Sequence, residues 1–377
     1  MKKLLLLSIS AMMSLGAMAQ TLTQDWKSTS VSFSSESNVR WGSGFGGKVY
    51  VNDRGTKTLY SFSKDATSGN VVQEVVLSEG TSPNAFGIGF DGSGNALMYK
   101  TFGANGVMQG GFILIKAGTN ETKEIALTSA DLEAIGTTSM RMDYMGRGVG
   151  NIFSEDGGVF FLLGVNQNKV VKLVIVNGEI DKTKTKVIET NVEALLTSGV
   201  NNAIVVPMTD DVNSDLIALR YSNTQTYYNN GTEFKAWEKK SNNTAGLDYF
   251  VLNDVPFTVE PAGTNKADGF VIVNRYTNEV VATQNPTIEN PTNTGVSNSL
   301  SVEKVNNTTV RIYQYFPNKF AAQYTFVIPA DYTTAIESVE VAAGAVEYYN
   351  LQGVKVANPE NGLFIKKQGN KVSKVIL

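Results

Sequence analysis

The chain reads as an all-β protein: a β-propeller of about six four-stranded blades, followed by a small C-terminal β tail. Three observations predict this fold class. A unit of turn, strand, turn and strand recurs along residues 38–330. Abundant Gly, Asn, Ser and Thr beside Val, Tyr and Phe favour short strands and turns over helices. Near Ala335 the pattern gives way to a run of short alternating strands. The expected partition is a signal peptide over 1–19, the propeller over 20–334 and the tail over 335–377.

The N-terminus carries the leader. Lys2 and Lys3 form a positive start, Leu4 to Leu7 open an apolar stretch that runs through Met13 and Leu15, and Ala17-Met18-Ala19 supplies a small-x-small cleavage site. Gln20 is then the expected mature N-terminus. The apolar stretch is diluted by serines and falls short of the roughly 20 residues that cross a bilayer, which favours a cleaved leader over an anchor. No later segment is apolar for long enough to span a membrane. Export to the periplasm, the cell surface or the medium is the expected location.

The repeat is clearest in three copies. Gly46-Gly47 leads into strands Lys48 to Val51 and Thr58 to Phe62. Asp91-Gly92-Ser93-Gly94-Asn95 leads into Ala96 to Tyr99 and Phe112 to Lys116, and Asp156-Gly157-Gly158 into Val159 to Leu163 and Val170 to Val176. Looser copies place Leu216 to Tyr221 after Asp210 to Asp215, Phe270 to Asn274 after Asn265 to Gly269, and Thr309 to Tyr315 after Asn306-Asn307. An apolar strand precedes most of these pairs and would run nearest the axis: Ala85 to Phe90, the glycine-rich Met142 to Phe153, Ala203 to Met208 and Tyr249 to Leu252. Outer strands such as Val71 to Leu77 and Glu124 to Leu127 complete a four-stranded unit. Gln24 to Val31 has no repeat of its own and is free to pair with the last blade and close the ring. A pair of β-sandwiches would need about a hundred residues each and a linker between them, and no Pro- or Ser-rich linker interrupts residues 20–330.

The chain has no cysteine, so neither disulfides nor a lipidated cysteine after the leader are available. Lys and Arg number 32 against 35 Asp and Glu, and the leader removes two lysines and no acid, leaving 30 against 35. That mildly acidic balance, with no basic block, argues against nucleic acid or anionic lipid as a partner. A monomer is expected.

Two resemblances emerge from the motifs. Tyr348-Tyr349-Asn350-Leu351-Gln352-Gly353-Val354-Lys355-Val356, then Gly362-Leu363-Phe364-Ile365, then Lys374-Val375-Ile376, resembles the C-terminal sorting domain of type IX secretion in Bacteroidetes. That family carries Tyr-Asp/Asn-Leu-x-Gly-x-x-Val, a Gly-x-Tyr/Phe-x segment and a terminal strand with a lysine. The arginine that usually follows its glycine is Val354 here, a departure that favours retention of the tail as a small domain over its cleavage. The turns Phe90-Asp91-Gly92-Ser93-Gly94-Asn95 and Ser154-Glu155-Asp156-Gly157-Gly158-Val159-Phe160-Phe161 resemble those of NHL- and SMP-30-like propellers. As a whole the chain is similar to secreted Bacteroidetes propeller proteins, a resemblance that implies a fold and a setting but no reaction.

The chain contains no histidine, which removes the general base of a Ser-His-Asp or Cys-His triad and the usual ligands of zinc, copper and non-haem iron. No cofactor and no metal site are expected. Carboxylate chemistry remains open, since glycoside hydrolysis needs only two carboxyl groups facing each other across a cleft. Asp91, Asp143, Glu155, Asp156, Asp210, Asp211 and Asp248 lie near predicted inner-strand ends, but Asp before Gly more simply caps a turn. A calcium loop from Asp91 fails because its twelfth residue is Phe102 and not Glu.

One cluster points to binding. Arg141, Asp143, Tyr144 and Arg147 precede the glycine-rich inner strand, Arg40 and Trp41 hold the equivalent place in the first copy, and Asn202 and Asp248 precede two others. The repeat brings these residues to one mouth of the central channel. Aromatic faces with Arg, Asp and Asn suit a sugar or an acidic ligand, and a glycan, a peptide or an envelope protein is the expected partner. The competing reading is that Arg and Asp pair across blades to satisfy buried polarity. A carboxylate-only glycan-active enzyme and a structural or adhesive envelope protein are the alternatives. Two close carboxylates at the mouth would favour the enzyme, and a channel plugged by side chains would favour the structural role.

Overall fold

The computed structural model describes residues 20–29, 31, 33, 35–64, 72–76, 87–102, 109–119, 121–138, 142, 144–164, 167–193, 195, 203–220, 225–241, 246–263, 267–288, 298–332, 347–350, 353–357, 359, 363–368 and 371–376. The expected leader lies outside them. The chain forms two compact units, Met1–Asp331 and Tyr332–Leu377.

Among the described residues the larger unit contains six antiparallel sheets. Strand β1 (Thr21–Ser28) stands first in the chain and belongs to the last sheet. The first blade is β2 (Gly42–Phe45), β3 (Lys48–Asp53), β4 (Thr58–Phe62) and β5 (Val72–Val76); the second is β6 (Ile88–Phe90), β7 (Ala96–Phe102), β8 (Gln109–Ile115) and β9 (Thr122–Leu127). The third is β10 (Val149–Gly150), β11 (Gly158–Leu163), β12 (Lys169–Val176), β13 (Glu179–Ile180) and β14 (Lys186–Glu189). The fourth is β15 (Ile204–Pro207), β16 (Ile217–Arg220), β17 (Thr226–Asn229) and β18 (Phe234–Ala236). The fifth is β19 (Asp248–Leu252), β20 (Val255–Ala262), β21 (Gly269–Asn274) and β22 (Glu279–Gln284). The sixth is β23 (Ser299–Asn306), β24 (Thr309–Phe316) and β25 (Phe320–Val327), with β1 outermost.

Each sheet runs as an antiparallel meander, except that β14 of the third returns to pair with β12 and β1 joins the sixth from the N-terminus. The first strand of each sheet lies beside the first strands of the neighbouring sheets. Strand β2 packs between β6 and β23, β19 between β15 and β23, and the Gly148 amide donates to the Phe90 carbonyl where the second and third blades meet. The inner strands therefore close a ring, which makes this unit a β-propeller. Ring closure is completed from the N-terminus: β1 pairs with β25 from Thr21 opposite Val327 to Ser28 opposite Ala321, as expected for the unrepeated segment. A bulge between Gln24 and Trp26 frees the Asp25 carboxylate to accept from Gln323 Nε2 and Thr325 Oγ1, both at 2.7 Å.

Burial explains the sequence pattern. Residues Gly158–Leu163 of β11 are all buried. Phe160 and Leu162 pack against Leu97, Tyr99 and Phe112 of the second blade, while Val159, Phe161 and Leu163 pack against Val205, Ile217 and Leu219 of the fourth. A strand alternates its side chains between two faces, and in a propeller both faces are covered by neighbouring blades, so the run is continuously apolar. The seam between the fourth and fifth blades is ionic instead. Buried Arg220 donates to Glu260 at 3.1 Å, Arg275 donates to the same carboxylate, and the Arg275 guanidinium lies 4.6 Å from the Trp237 ring centre.

Tight turns set the register. Gly46-Gly47, Asn177-Gly178 and Asn253-Asp254 each join two strands through two residues with positive φ, the geometry whose twist matches flanking strands. The last of these marks a correction. The repeat reading follows Tyr249 to Leu252 with Phe270 to Asn274, whereas β20 stands between them. Pro256 and Pro261 hide this strand, because proline lacks the ladder amide and reads as a break. The inner strand expected over Met142 to Phe153 is likewise reduced to Val149–Gly150. A short helix, α1 (Ser129–Ala134), capped by a reciprocal Thr128–Asp131 box, follows β9 and was not foreseen.

The C-terminal unit holds a four-stranded sheet in the order β27-β26-β28-β29, formed by β26 (Glu347–Tyr349), β27 (Lys355–Val356), β28 (Leu363–Gln368) and β29 (Lys371–Ile376). Its first turn is closed by Asn350, whose side chain accepts from the Val354 amide at 2.9 Å while Gly353 adopts a φ of 80°. The strand expected over 337–341 lies outside the described residues.

Trp26 is buried at the seam where β1 seals the ring, among Val49, Val51, Phe62 and Tyr313. Trp26→Ala is expected to lower stability by about 3–5 kcal/mol, the usual cost of emptying a buried aromatic site. Urea unfolding checks this, and an unchanged midpoint would remove β1 from the forces that hold the ring.

Candidate ligand site at one mouth of the ring

The inner strands come too close for ordinary side chains at several points. A Cβ on Gly89 would fall 2.2 Å from the Gly146 carbonyl oxygen, and one on Gly146 would fall 2.0 Å from that of Val205. This crowding accounts for the glycines ahead of β10. At the seam between the sixth and first blades, side chains take over the work of a ladder. Ser299 Oγ, Ser301 Oγ and Glu303 Oε2 accept from the amides of Gly42, Gly44 and Gly46 at 3.2, 2.8 and 3.0 Å. The alternation of Gly-x-Gly-x-Gly against Ser-x-Ser-x-Glu follows from the two-residue period of both strands.

Arg147 and Asp248 bridge the next seams. Arg147 Nε donates to Asp248 Oδ1 at 3.0 Å, and its Nη2 donates to the carbonyls of Pro207 at 3.2 Å and Tyr249 at 3.0 Å. Asp248 also accepts from its neighbour's amide, Tyr249 N, and from Val302 N on the sixth blade, both at 2.8 Å. One arginine thus ties the third blade to the fourth and fifth, and one aspartate ties the fifth to the sixth. Burial pushes the Asp248 carboxyl above the ordinary carboxylate range, and the Arg147 charge with the two amides pulls it back.

Above this pair opens a basin of about 540 Å³. Its wall is drawn from all six inner strands or the residues that follow them, including Phe45, Gly92, Arg147, Asp210, Val251 and Lys304. Ligand sites commonly occupy roughly 300–1,000 Å³, so the basin is of suitable size. Arg147 is a cation anchored in its wall, with 17% of its side chain exposed; Asp210, 78% exposed, stands 3.6 Å from Arg147 Nη1. The other bordering carboxylates serve the fold. Asp91 accepts from the amides of Ser93, Asn95 and Ile152 and from Asn95 Nδ2, and Glu303 accepts from Gly46 N, Tyr313 and Arg311. The turn-capping reading of Asp91 is the one its hydrogen bonds follow.

The sequence-predicted residues divide. Arg147 and Asp248 meet, as the pairing reading required. Trp41 and Tyr144 also meet, but in the core: their ring centres are 4.6 Å apart, the Trp41 indole donates to the Met145 carbonyl at 3.1 Å, and Trp41 is only 1% exposed. With Ile204, Val206, Leu247 and Tyr249 they form an apolar plug shared by the first, third, fourth and fifth blades. The rings of Trp41 and Tyr144 are buried and do not line the basin, whereas Tyr249 borders both plug and basin. Arg40 is half-buried and is not part of the basin wall. Arg141, Asp143 and Asn202 lie outside the described residues.

Sequence reasoning looked for the site at the starts of the inner strands, and the basin lies at their ends. Phe45, Glu303 and Lys304 were therefore missed as wall residues, and Asp210 was weighed only as a catalytic or turn-capping carboxylate. The available signal was positional: each sits at or just before the turn into the second strand of its repeat.

Removing the Arg147 guanidinium leaves a buried carboxyl without its counter-charge. Arg147→Ala should destabilise the fold by roughly 3–5 kcal/mol at neutral pH. A carboxyl whose pKa is raised on folding contributes fully below its unfolded value, and that contribution declines as pH climbs through the folded value. Loss of Arg147 raises the Asp248 pKa further, so the variant's stability should fall more steeply with rising pH than the wild type's. Urea midpoints from pH 4 to 8 check this, and parallel curves would mean that Asp248 does not depend on Arg147.

No protein-family model matches the chain, and no curated protein matches it. Solved structures to which the chain is similar include a streptogramin B lyase, at 10% identity over 82% of this chain and 99% of that one, with a TM-score of 0.44. A protein of unknown function from Dyadobacter fermentans is similar at 13% identity over 81% of this chain and 99% of that one, with a TM-score of 0.48.

Proposed function

We propose that this chain is an exported or surface-displayed β-propeller that binds a glycan or peptide ligand at one mouth of its ring. The observation that carries the reading is the basin over Arg147: a concave site built from six inner strands, with an anchored guanidinium in its wall and an exposed aspartate beside it. Anchoring on Nε and Nη2 holds the arginine in place before any ligand arrives, which limits the entropy lost on binding. The leader pattern of residues 1–19 supports export. The motifs of residues 348–376 support a Bacteroidetes secretion setting in which the tail acts as a sorting domain. No helix among the described residues is long and apolar enough to cross a membrane.

The glycan-active enzyme is the weaker reading, because Asp91 and Glu303 are held by turn and seam hydrogen bonds. The plug around Trp41 and Tyr144 favours a structural contribution from that part of the ring, alongside binding at the open mouth.

Thr209 is half-buried and lines the basin, so Thr209→Trp should fill it without touching the plug. Glycan and peptide arrays probed with the wild type should return ligands that the Thr209→Trp variant fails to retain. Equal retention by both proteins, or no retained ligand at all, would overturn basin binding.

A further inference from the structure

We infer that the basin takes a neutral carbohydrate that presents two adjacent hydroxyl groups, a step that rests on the basin being a ligand site. The argument starts with the donors Arg147 has left. Its Nε and Nη2 groups are engaged by Asp248, Pro207 and Tyr249. On Nη1 the contact among the described residues is Asp210 Oδ1 at 3.6 Å, beyond a good hydrogen bond. Asp210 makes no other side-chain contact among the described residues. The wall thus offers a donor and an acceptor side by side, each short of a close partner. A vicinal diol satisfies both at once: one hydroxyl oxygen accepts from Nη1, and its neighbour donates to the Asp210 carboxylate.

Charge selects against the alternatives. The basin is bordered by two cationic side chains, Arg147 and Lys304, and three carboxylates, Asp91, Asp210 and Glu303. Arg147 is already neutralised by buried Asp248, so an anionic group placed against Nη1 meets the Asp210 charge with no net positive field to offset it. A cation placed against Asp210 meets Arg147 in the same way. A neutral group with a donor and an acceptor escapes both repulsions. Phe45, Met208 and Val251, all half-buried among the residues that line the basin, add apolar surface for the C–H face of a sugar ring.

Titration calorimetry would use methyl mannoside, methyl galactoside and methyl glucoside, their singly deoxygenated counterparts, glucuronate and a neutral tripeptide. At least one glycoside should bind, and removing one hydroxyl of the recognised pair should weaken it about tenfold or more. Asp210→Ala should abolish that binding while leaving the urea midpoint unchanged, because Asp210 is exposed. Binding of glucuronate or the tripeptide, with none by the glycosides, would overturn the carbohydrate assignment and leave the basin as a site for another ligand. Glycoside binding that survives Asp210→Ala would overturn the donor–acceptor pair. No binding by any glycoside would overturn the inference, and basin binding would then be decided by the Thr209→Trp comparison alone.

Discussion

Six inner strands crowd around one axis, and each has a sheet partner on one edge only. Their remaining amides and carbonyls are buried and must be satisfied by something other than a ladder. Much of the rest of the structure answers that requirement. Ser299, Ser301 and Glu303 serve the amides of Gly42, Gly44 and Gly46, Asp248 serves Val302, and Arg147 serves the carbonyls of Pro207 and Tyr249. Glycines are required where the strands come nearest, because a Cβ on Gly89 or Gly146 would overlap the next strand's carbonyl. Polar side chains and glycines near the axis are thus two halves of one solution.

Away from the axis the blades are held by ordinary burial. Strands such as β11 divide their side chains between two neighbours, so removing one blade would expose apolar faces on both sides. The strand β1 matters for the same reason. By joining β25 it covers that strand's outer edge with the first residues of the described chain, and Trp26 is buried with residues of the first and sixth blades. The Arg220–Glu260–Arg275 group adds a different constraint between the fourth and fifth blades. Any shift of one blade against the other would leave a charge buried without its partner.

The basin inherits its chemistry from these constraints. Arg147 spends three hydrogen bonds on holding blades together, and that same fixation leaves Nη1 in the basin wall beside Asp210. Binding and stability are therefore linked at this residue, whereas Asp210 stands in solvent and is separable from the fold. Trp41 and Tyr144 are buried in an apolar cluster and are absent from the basin wall, which is lined by residues of the inner strands and the turns that follow them.

How much of this was legible in the sequence depends on the range of the interaction. Turn chemistry and period-two burial are local, and they sufficed for the all-β class, the recurring unit, the closing segment near the N-terminus and the four described strands of the tail. Strand β20 escaped because Pro256 and Pro261 mimic a break, and only pairing with β19 and β21 overrides that local signal. The pairing of Arg147 with Asp248 was within reach, since buried charges seek partners. Which end of the inner strands stays open was not. Trp41 and Tyr144 carry every local mark of a ligand platform, yet they come from different blades and pack against each other with their rings tilted by 43°. The sequence by itself determined the strands, their turns and the residues available near the axis. Only the tertiary structure decided which of them became plug and which became wall, because that choice rests on contacts between blades about a hundred residues apart.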